Sequence, residues 1–142
     1  MTDFDPENWT RNLMADMRAH GGVPTSGPFN GRQLVILTTT GARTGEPRTA
    51  ILAYRKEGDR IVIAGSKGGA PTDPAWVHNL KAQPVATAEI NNEVFEVAAT
   101  IEAGGPERDR LWAAHVAEMP GFGEYPAKTD RIIPMIVLER AT

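Results

Sequence analysis

Two β-branched apolar runs in this chain each end in a glycine-broken loop that carries cations. That pairing limits the fold and the chemistry more than any other feature. The first run, Leu34 to Thr40, leads into Gly41-Ala-Arg-Thr-Gly-Glu-Pro-Arg48. The second, ending at Ala64, leads into Gly65-Ser-Lys-Gly-Gly69. Loops of this kind hold backbone N–H groups and side-chain cations at strand ends, where an anionic ligand can reach them.

Charge distribution points the same way. The formal net charge is −3 over 142 residues, which gives no global attraction to nucleic acid. Between Arg32 and Lys67, however, seven cations (Arg32, Arg43, Arg48, Arg55, Lys56, Arg60, Lys67) face three acids (Glu46, Glu57, Asp59), a balance of +4. The rest of the chain carries −7. Solvated charges at hairpin ends account for Arg55, Lys56 and Arg60. They account less well for Arg43, Arg48 and Lys67, so a discrete anion site and an ordinary hairpin connection both stay open for the first loop.

The remaining elements follow from periodicity and punctuation. Asp5-Pro6 opens an amphipathic helix with Trp9, Leu13 and Met17 on one stripe, stopped by Gly21-Gly22. That stripe packs on its own domain, covers a site, or touches a membrane surface. Strands are expected at Gln33–Thr40, Arg48–Lys56, Arg60–Gly65, Val85–Ile90, Glu93–Ile101 and Arg131–Arg140, with Glu57-Gly58-Asp59 and Asn91-Asn92 as hairpin turns. Asp73-Pro74 signals the start of a second helix through about Ala82. Gly105-Pro106-Glu107 starts a third, with Leu111, Trp112, His115, Val116 and Met119 at helical spacing. About six antiparallel strands with three flanking helices make a mainly β (α+β) fold, a closed or partly closed barrel, in one domain over residues 1–142. The helix takes 1–22 and the barrel core 33–140.

Several chemistries are excluded by what is missing. There is no cysteine, hence no disulfide and no thiolate metal site, and the three histidines lack metal-ligand spacing, so no metal is expected. Neither a Walker loop nor a dinucleotide fingerprint occurs. Ser66 misses the nucleophile-elbow pattern by one position and suits hydrogen bonding better. The acidic N-terminus and the lack of a long apolar run predict a soluble, cytoplasmic protein, with the inner membrane face as a peripheral alternative.

The segments Thr38-Thr-Thr-Gly-Ala-Arg-Thr-Gly-Glu-Pro-Arg48, Ala64-Gly-Ser-Lys-Gly-Gly69, Asp73-Pro-Ala-Trp-Val-His-Asn-Leu80 and Thr129-Asp-Arg-Ile-Ile-Pro134 together resemble the deazaflavin-dependent nitroreductase family, in order and spacing over roughly residues 33 to 140. The resemblance implies a split β-barrel of the FMN-binding-like type. It also implies coenzyme F420, a deazaflavin with a phosphate and an oligoglutamate tail. Carried over residue by residue, it assigns cofactor binding to Arg43, Thr44, Arg48, Thr49, Gly65, Ser66, Lys67, Gly68, Ala75, Trp76 and Asn79. It makes Ser66 and Tyr125 the candidate proton donors and puts Met119, Phe122 and Tyr125 in the substrate pocket. Many relatives carry a second cation where this chain has Ala42, which weakens one charge contact without removing the site. Phe122 and Met119 stand where the best-known nitroreductase has tyrosines, which disfavours nitroaromatics. The expected activity is hydride transfer to an enone, lactone, coumarin-like ring or quinone. The alternatives are an FMN-dependent oxidoreductase on the same barrel and a non-catalytic cofactor or quinone carrier. Split barrels often pair, so a homodimer is a further expectation.

Overall fold

The structure, a computed structural model, describes residues 6–25, 30–66, 72–123 and 131–141. In chain order the elements are α1 (Pro6–Ala19), β1 (Leu34–Thr40), β2 (Pro47–Ala53), β3 (Arg55–Glu57), β4 (Arg60–Ala64), α2 (Ala75–Ala82), β5 (Val85–Ile90), β6 (Glu93–Glu102), α3 (Pro106–Glu118) and β7 (Met135–Arg140). Every strand pairs antiparallel, in the order β2-β1-β5-β6-β7-β4-β3.

Seven strands therefore replace the expected six, because the stretch read as one strand from Arg48 to Lys56 breaks at Tyr54. Its first part pairs with β1, from Leu34↔Ala53 to Thr40↔Pro47. Its second part pairs with β4, from Arg55↔Val62 to Glu57↔Arg60. One continuous stretch thus supplies both edges of the sheet, and the buried Tyr54 is the corner between them. No glycine or proline marks that corner; tertiary closure sets it.

Three apolar layers hold the sheet. Val35, Leu37, Tyr54, Ile63, Leu80, Val97 and Ile136 fill the interior with α2. On one outer side α3 lays Leu111 on Val62, Ile133, Met135 and Val137. On another, α1 lays Leu13 and Met17 on Leu34 and Ile36. Burying a side chain of this size contributes roughly 1.5–3 kcal/mol, so Leu13 and Met17 of the α1 stripe are taken up by their own domain, while Trp9 stays 38% exposed. The helix is further tied by two Arg18–Glu89 contacts of 2.8 and 2.9 Å. The turn after it closes at Gly22, whose φ is +101° and where a Cβ would lie 2.5 Å from Asn91 Cα, so no larger residue fits. The expected cap Asp5 lies outside the described residues. Among the described residues no helix is long and apolar enough to cross a membrane.

Two further expectations are corrected. The cap position of α2 is Pro74, with no side-chain cap, rather than Asp73. The Asp73 carboxylate instead accepts from Arg131 at 2.7 Å and lies 3.7 Å from Lys81, where it meets two cations rather than a backbone N–H. The last strand begins at Met135, not Arg131. Ahead of it Pro134 offers no N–H to a ladder, and its carbonyl accepts from Gly65 at 2.9 Å.

Candidate active site

The β1–β2 connection is a tight, internally bonded loop. Gly41 N–H donates to Glu46 O at 2.8 Å and Gly45 N–H to Gly41 O at 2.9 Å. A Cβ on Gly41 would stand 2.8 Å from Thr44 Oγ1, so the loop closes only around glycine there. Asn79 then fixes it to the barrel. Its buried amide donates to Thr39 Oγ1 at 3.1 Å, and its Oδ1 accepts Ala42 N–H at 2.9 Å. This polar residue shares the inward face of α2 with Trp76, Val77 and Leu80, so it clamps the loop.

Above the clamp the loop opens a cleft of about 720 Å³, lined by Arg43, Thr44, Arg48, Thr49, Ala75, Trp76, His78 and Asn79 among others. Seven of the eleven residues expected at the cofactor thus come together. Among the described residues Arg43 makes no hydrogen bond or ion pair. Arg48, with its side chain 52% exposed, is held only loosely, by Glu46 at 3.3 Å and Thr44 Oγ1 at 3.5 Å. Two available guanidiniums beside threonine hydroxyls fit a polyanionic ligand, because a guanidinium fork matches phosphate and carboxylate oxygens.

The other expected residues fall elsewhere. Gly65 and Ser66 are buried and do not line this cleft. A Cβ on Gly65 would meet Pro134 Cγ at 2.9 Å and Val77 Cγ2 at 3.0 Å. Both their carbonyls accept from Arg131, at 3.1 and 2.6 Å. Arg131 therefore joins the end of β4, Asp73 and the chain before β7, a role that spacing alone did not reveal. Lys67, Gly68 and Tyr125 lie outside the described residues. Met119 and Phe122 line a second cleft of about 430 Å³ with Ala53, Tyr54, Arg32 and Gln33.

Arg55 overturns the reading of hairpin-end charges as solvated. It is buried and paired with Glu57, which also takes Arg60 at 3.0 Å and Arg110 at 3.0 and 3.1 Å. Bonds from Arg110, then Arg55, hold the Glu57 carboxyl down to about 2. His115 is fully buried on α3, and burial, with the nearby Arg55 charge second, pushes its pKa down to about 4. The imidazole is neutral at ordinary pH.

Residues 9–140 match the F420H(2)-dependent quinone reductase family. An F420H(2)-dependent quinone reductase of Mycobacterium tuberculosis is 39% identical over 108 residues, covering 75% of this chain and 72% of that protein. A solved F420-H2 dependent reductase superposes with a TM-score of 0.67 at 36% identity, over 75% of this chain and 93% of that one. A solved domain-swapped dimer superposes with a TM-score of 0.70 at 32% identity, over 95% and 100% of the two chains. With the split-barrel architecture and a cation-lined cleft already in place, these likenesses put the chain in the F420H(2)-dependent quinone reductase family, oxidoreductases that use coenzyme F420.

Proposed function

We propose that the protein reduces a quinone with F420H2, and that the cation-lined cleft holds the anionic tail of the cofactor. The observation that carries the reading is Arg43, without a partner among the described residues, and the loosely held Arg48 beside Thr44 and Thr49 at one cleft. Ionic contacts to phosphate or carboxylate fix such a tail, and Lys67, expected in the neighbouring loop, would add a third cation. Asn79 keeps the loop in shape before any ligand arrives. When bound, the deazaflavin supplies a hydride. The chain orients the two reactants, keeps water from the ring, and holds a hydroxyl for the accompanying proton. Ser66 is one candidate, its backbone fixed by Arg131, and Tyr125 the other. Enones and lactones are secondary acceptors in this reading, and nitroaromatics the least favoured. The pairing of two copies draws support from the domain-swapped relative.

The test is a titration with F420 followed by F420H2 oxidation using menadione (2-methyl-1,4-naphthoquinone). Saturable cofactor binding that weakens as salt rises, together with quinone-dependent oxidation, is the expected result. Cofactor binding with no turnover on menadione or on enones would leave a carrier, and the reductase reading would be lost.

A further inference from the structure

The second glycine loop leaves the barrel at a joint where three elements meet. Gly65, just past β4, donates its N–H to Pro134 O at 2.9 Å, ahead of β7. Its Cα has no room for a side chain between Pro134 and Val77 of α2. Arg131 closes the joint from the carbonyl side. Its Nη1 donates to Gly65 O at 3.1 Å and to Asp73 Oδ1 at 2.7 Å, while Nη2 donates to Ser66 O at 2.6 Å. The side chain is only 14% exposed, so these bonds form where water competes little. Satisfaction of this kind is not automatic in the fold: both ring nitrogens of the buried His115 lack a partner among the described residues.

Ser66 shows what the joint leaves over. The residue is 7% exposed and its carbonyl is held, yet its hydroxyl makes no hydrogen bond among the described residues. Interior polar groups are ordinarily satisfied, so a hydroxyl without an internal partner on a fixed backbone suits a donor kept for a ligand.

The joint also reaches the cation cleft. Asp73 stands two residues before α2, and the same helix carries Asn79, which clamps the β1–β2 loop through Ala42 N–H and Thr39 Oγ1. One guanidinium thus ties the Ser66 backbone to the entry of α2, and one amide ties α2 to the loop with Arg43 and Arg48. A single short helix lies between the two glycine-broken loops.

We propose that Arg131 is a positioning residue for hydride transfer. By holding the Gly65 and Ser66 carbonyls against the entry of α2, it sets the loop after β4 in register with the cleft that grips the anionic tail. The assignment rests on the quinone reductase reading and adds to it a residue that acts through others. The demand is geometric: a misplacement of about 1 Å can cost about a hundredfold in rate. Ionic contacts at half-exposed arginines tolerate such a shift. Loss of the fork should therefore appear in turnover and not in tail binding.

The decisive variant is Arg131→Lys. It keeps a cation for Asp73 but cannot span both carbonyls, because an ammonium is a compact point charge and a guanidinium a planar fork. Its control is Arg108→Lys. Arg108 Nε donates to Ile133 O at 2.9 Å from a side chain 13% exposed, on the same segment before β7, and none of its hydrogen bonds goes to Gly65 or Ser66. Both variants should melt lower than the wild type. Assayed with F420H2 and menadione below their melting, Arg131→Lys should lose at least about tenfold in kcat, and Arg108→Lys should stay within about twofold. F420 affinity of Arg131→Lys should stay within about threefold, with the salt dependence of binding unchanged.

Equal kcat in the two variants would make Arg131 a structural residue and overturn the proposal. Weakened F420 binding with kcat retained would make it a tail contact and overturn it too. Should Arg131→Lys fail to fold, 15N NMR of the wild type decides. A held fork gives separate signals for the Arg131 Nη–H protons with and without F420, whereas signals averaged by free rotation sink the assignment. The two readings fail separately. Wild-type turnover with an unaffected Arg131→Lys loses the positioning role alone. A wild type that binds F420 and never oxidises F420H2 loses the reductase reading.

Discussion

The same basic segment ends in two opposite electrostatic states. At the β1–β2 loop, Arg43 has no partner among the described residues and Arg48 is half exposed with a weak one. Some ten residues on, Arg55 is 7% exposed and joins Glu57, Arg60 and Arg110 in a compact network. Both groups belong to one basic stretch of the sequence. The difference lies in burial and in the acid each one meets: Arg55 is buried against a Glu57 that Arg60 and Arg110 share, and Arg48 is half exposed against Glu46. Glu57 is reached from α3 by Arg110, 53 residues away, whereas Arg48 meets only its near neighbour Glu46. A cation without a folded partner is available to a ligand, and a buried cation held by a shared acid is part of the scaffold.

Breaking the scaffold half should have the largest effect. Glu57→Ala leaves Arg55 buried without its counter-charge, so stability should fall by about 3–5 kcal/mol in denaturant unfolding. F420 affinity, measured on the folded fraction, should be unchanged. An equal loss of affinity would mean that the two halves form one electrostatic unit.

Acid should reach the scaffold half in two stages. The folded pKa of His115, about 4, lies below the ordinary 6.5, so the unfolded chain takes the proton first. Stability from this group is complete above pH 6.5 and declines as pH drops to 4, by at most about 3 kcal/mol. Glu57, held at about 2 against an ordinary 4.5, adds a second decline between pH 4.5 and 2. In His115→Leu the upper stage should vanish from the unfolding profile while the lower one persists.

Asn79→Ala tests the join between loop and barrel. It strands the Ala42 N–H and should cost about 2 kcal/mol of stability while also weakening the cofactor. The smallest effects belong to the exposed cations. Arg48→Ala should weaken F420 by about 1 kcal/mol in calorimetry, because solvent screens the contact, with stability within about 0.5 kcal/mol of wild type. Glu46→Ala, which removes the competitor, should tighten it by about 0.5 kcal/mol. A larger change from either would place the arginine deeper in the bound complex than in the free protein.

How much of this was legible beforehand varies by residue. The strands from Val85 to Ile101 and the turn at Asn91-Asn92 followed from alternation and positive-φ chemistry, and both asparagines do adopt positive φ. Arg43, Arg48 and the threonines could be read because they stand in one short loop. The Tyr54 corner could not, since it depends on which strand lies across the sheet. Nor could Asp73: its cap signal is local, while the Arg131 that captures it is 58 residues distant. Asn79 did leave a signal, an amide in register with Trp76 and Leu80 on a face otherwise apolar. His115 left none, because a histidine at helical spacing is indistinguishable from an ordinary packed one until its missing partners are seen.

The corner at Tyr54 has a mechanical meaning. The two margins of the barrel diverge from that single buried residue like the blades of shears from their rivet. Any opening of the seam is therefore smallest beside Tyr54 and greatest at the far tips. One of those tips is Pro47, next to Arg48, so the arginine proposed to meet a ligand's charge stands at the end of its margin farthest from the corner.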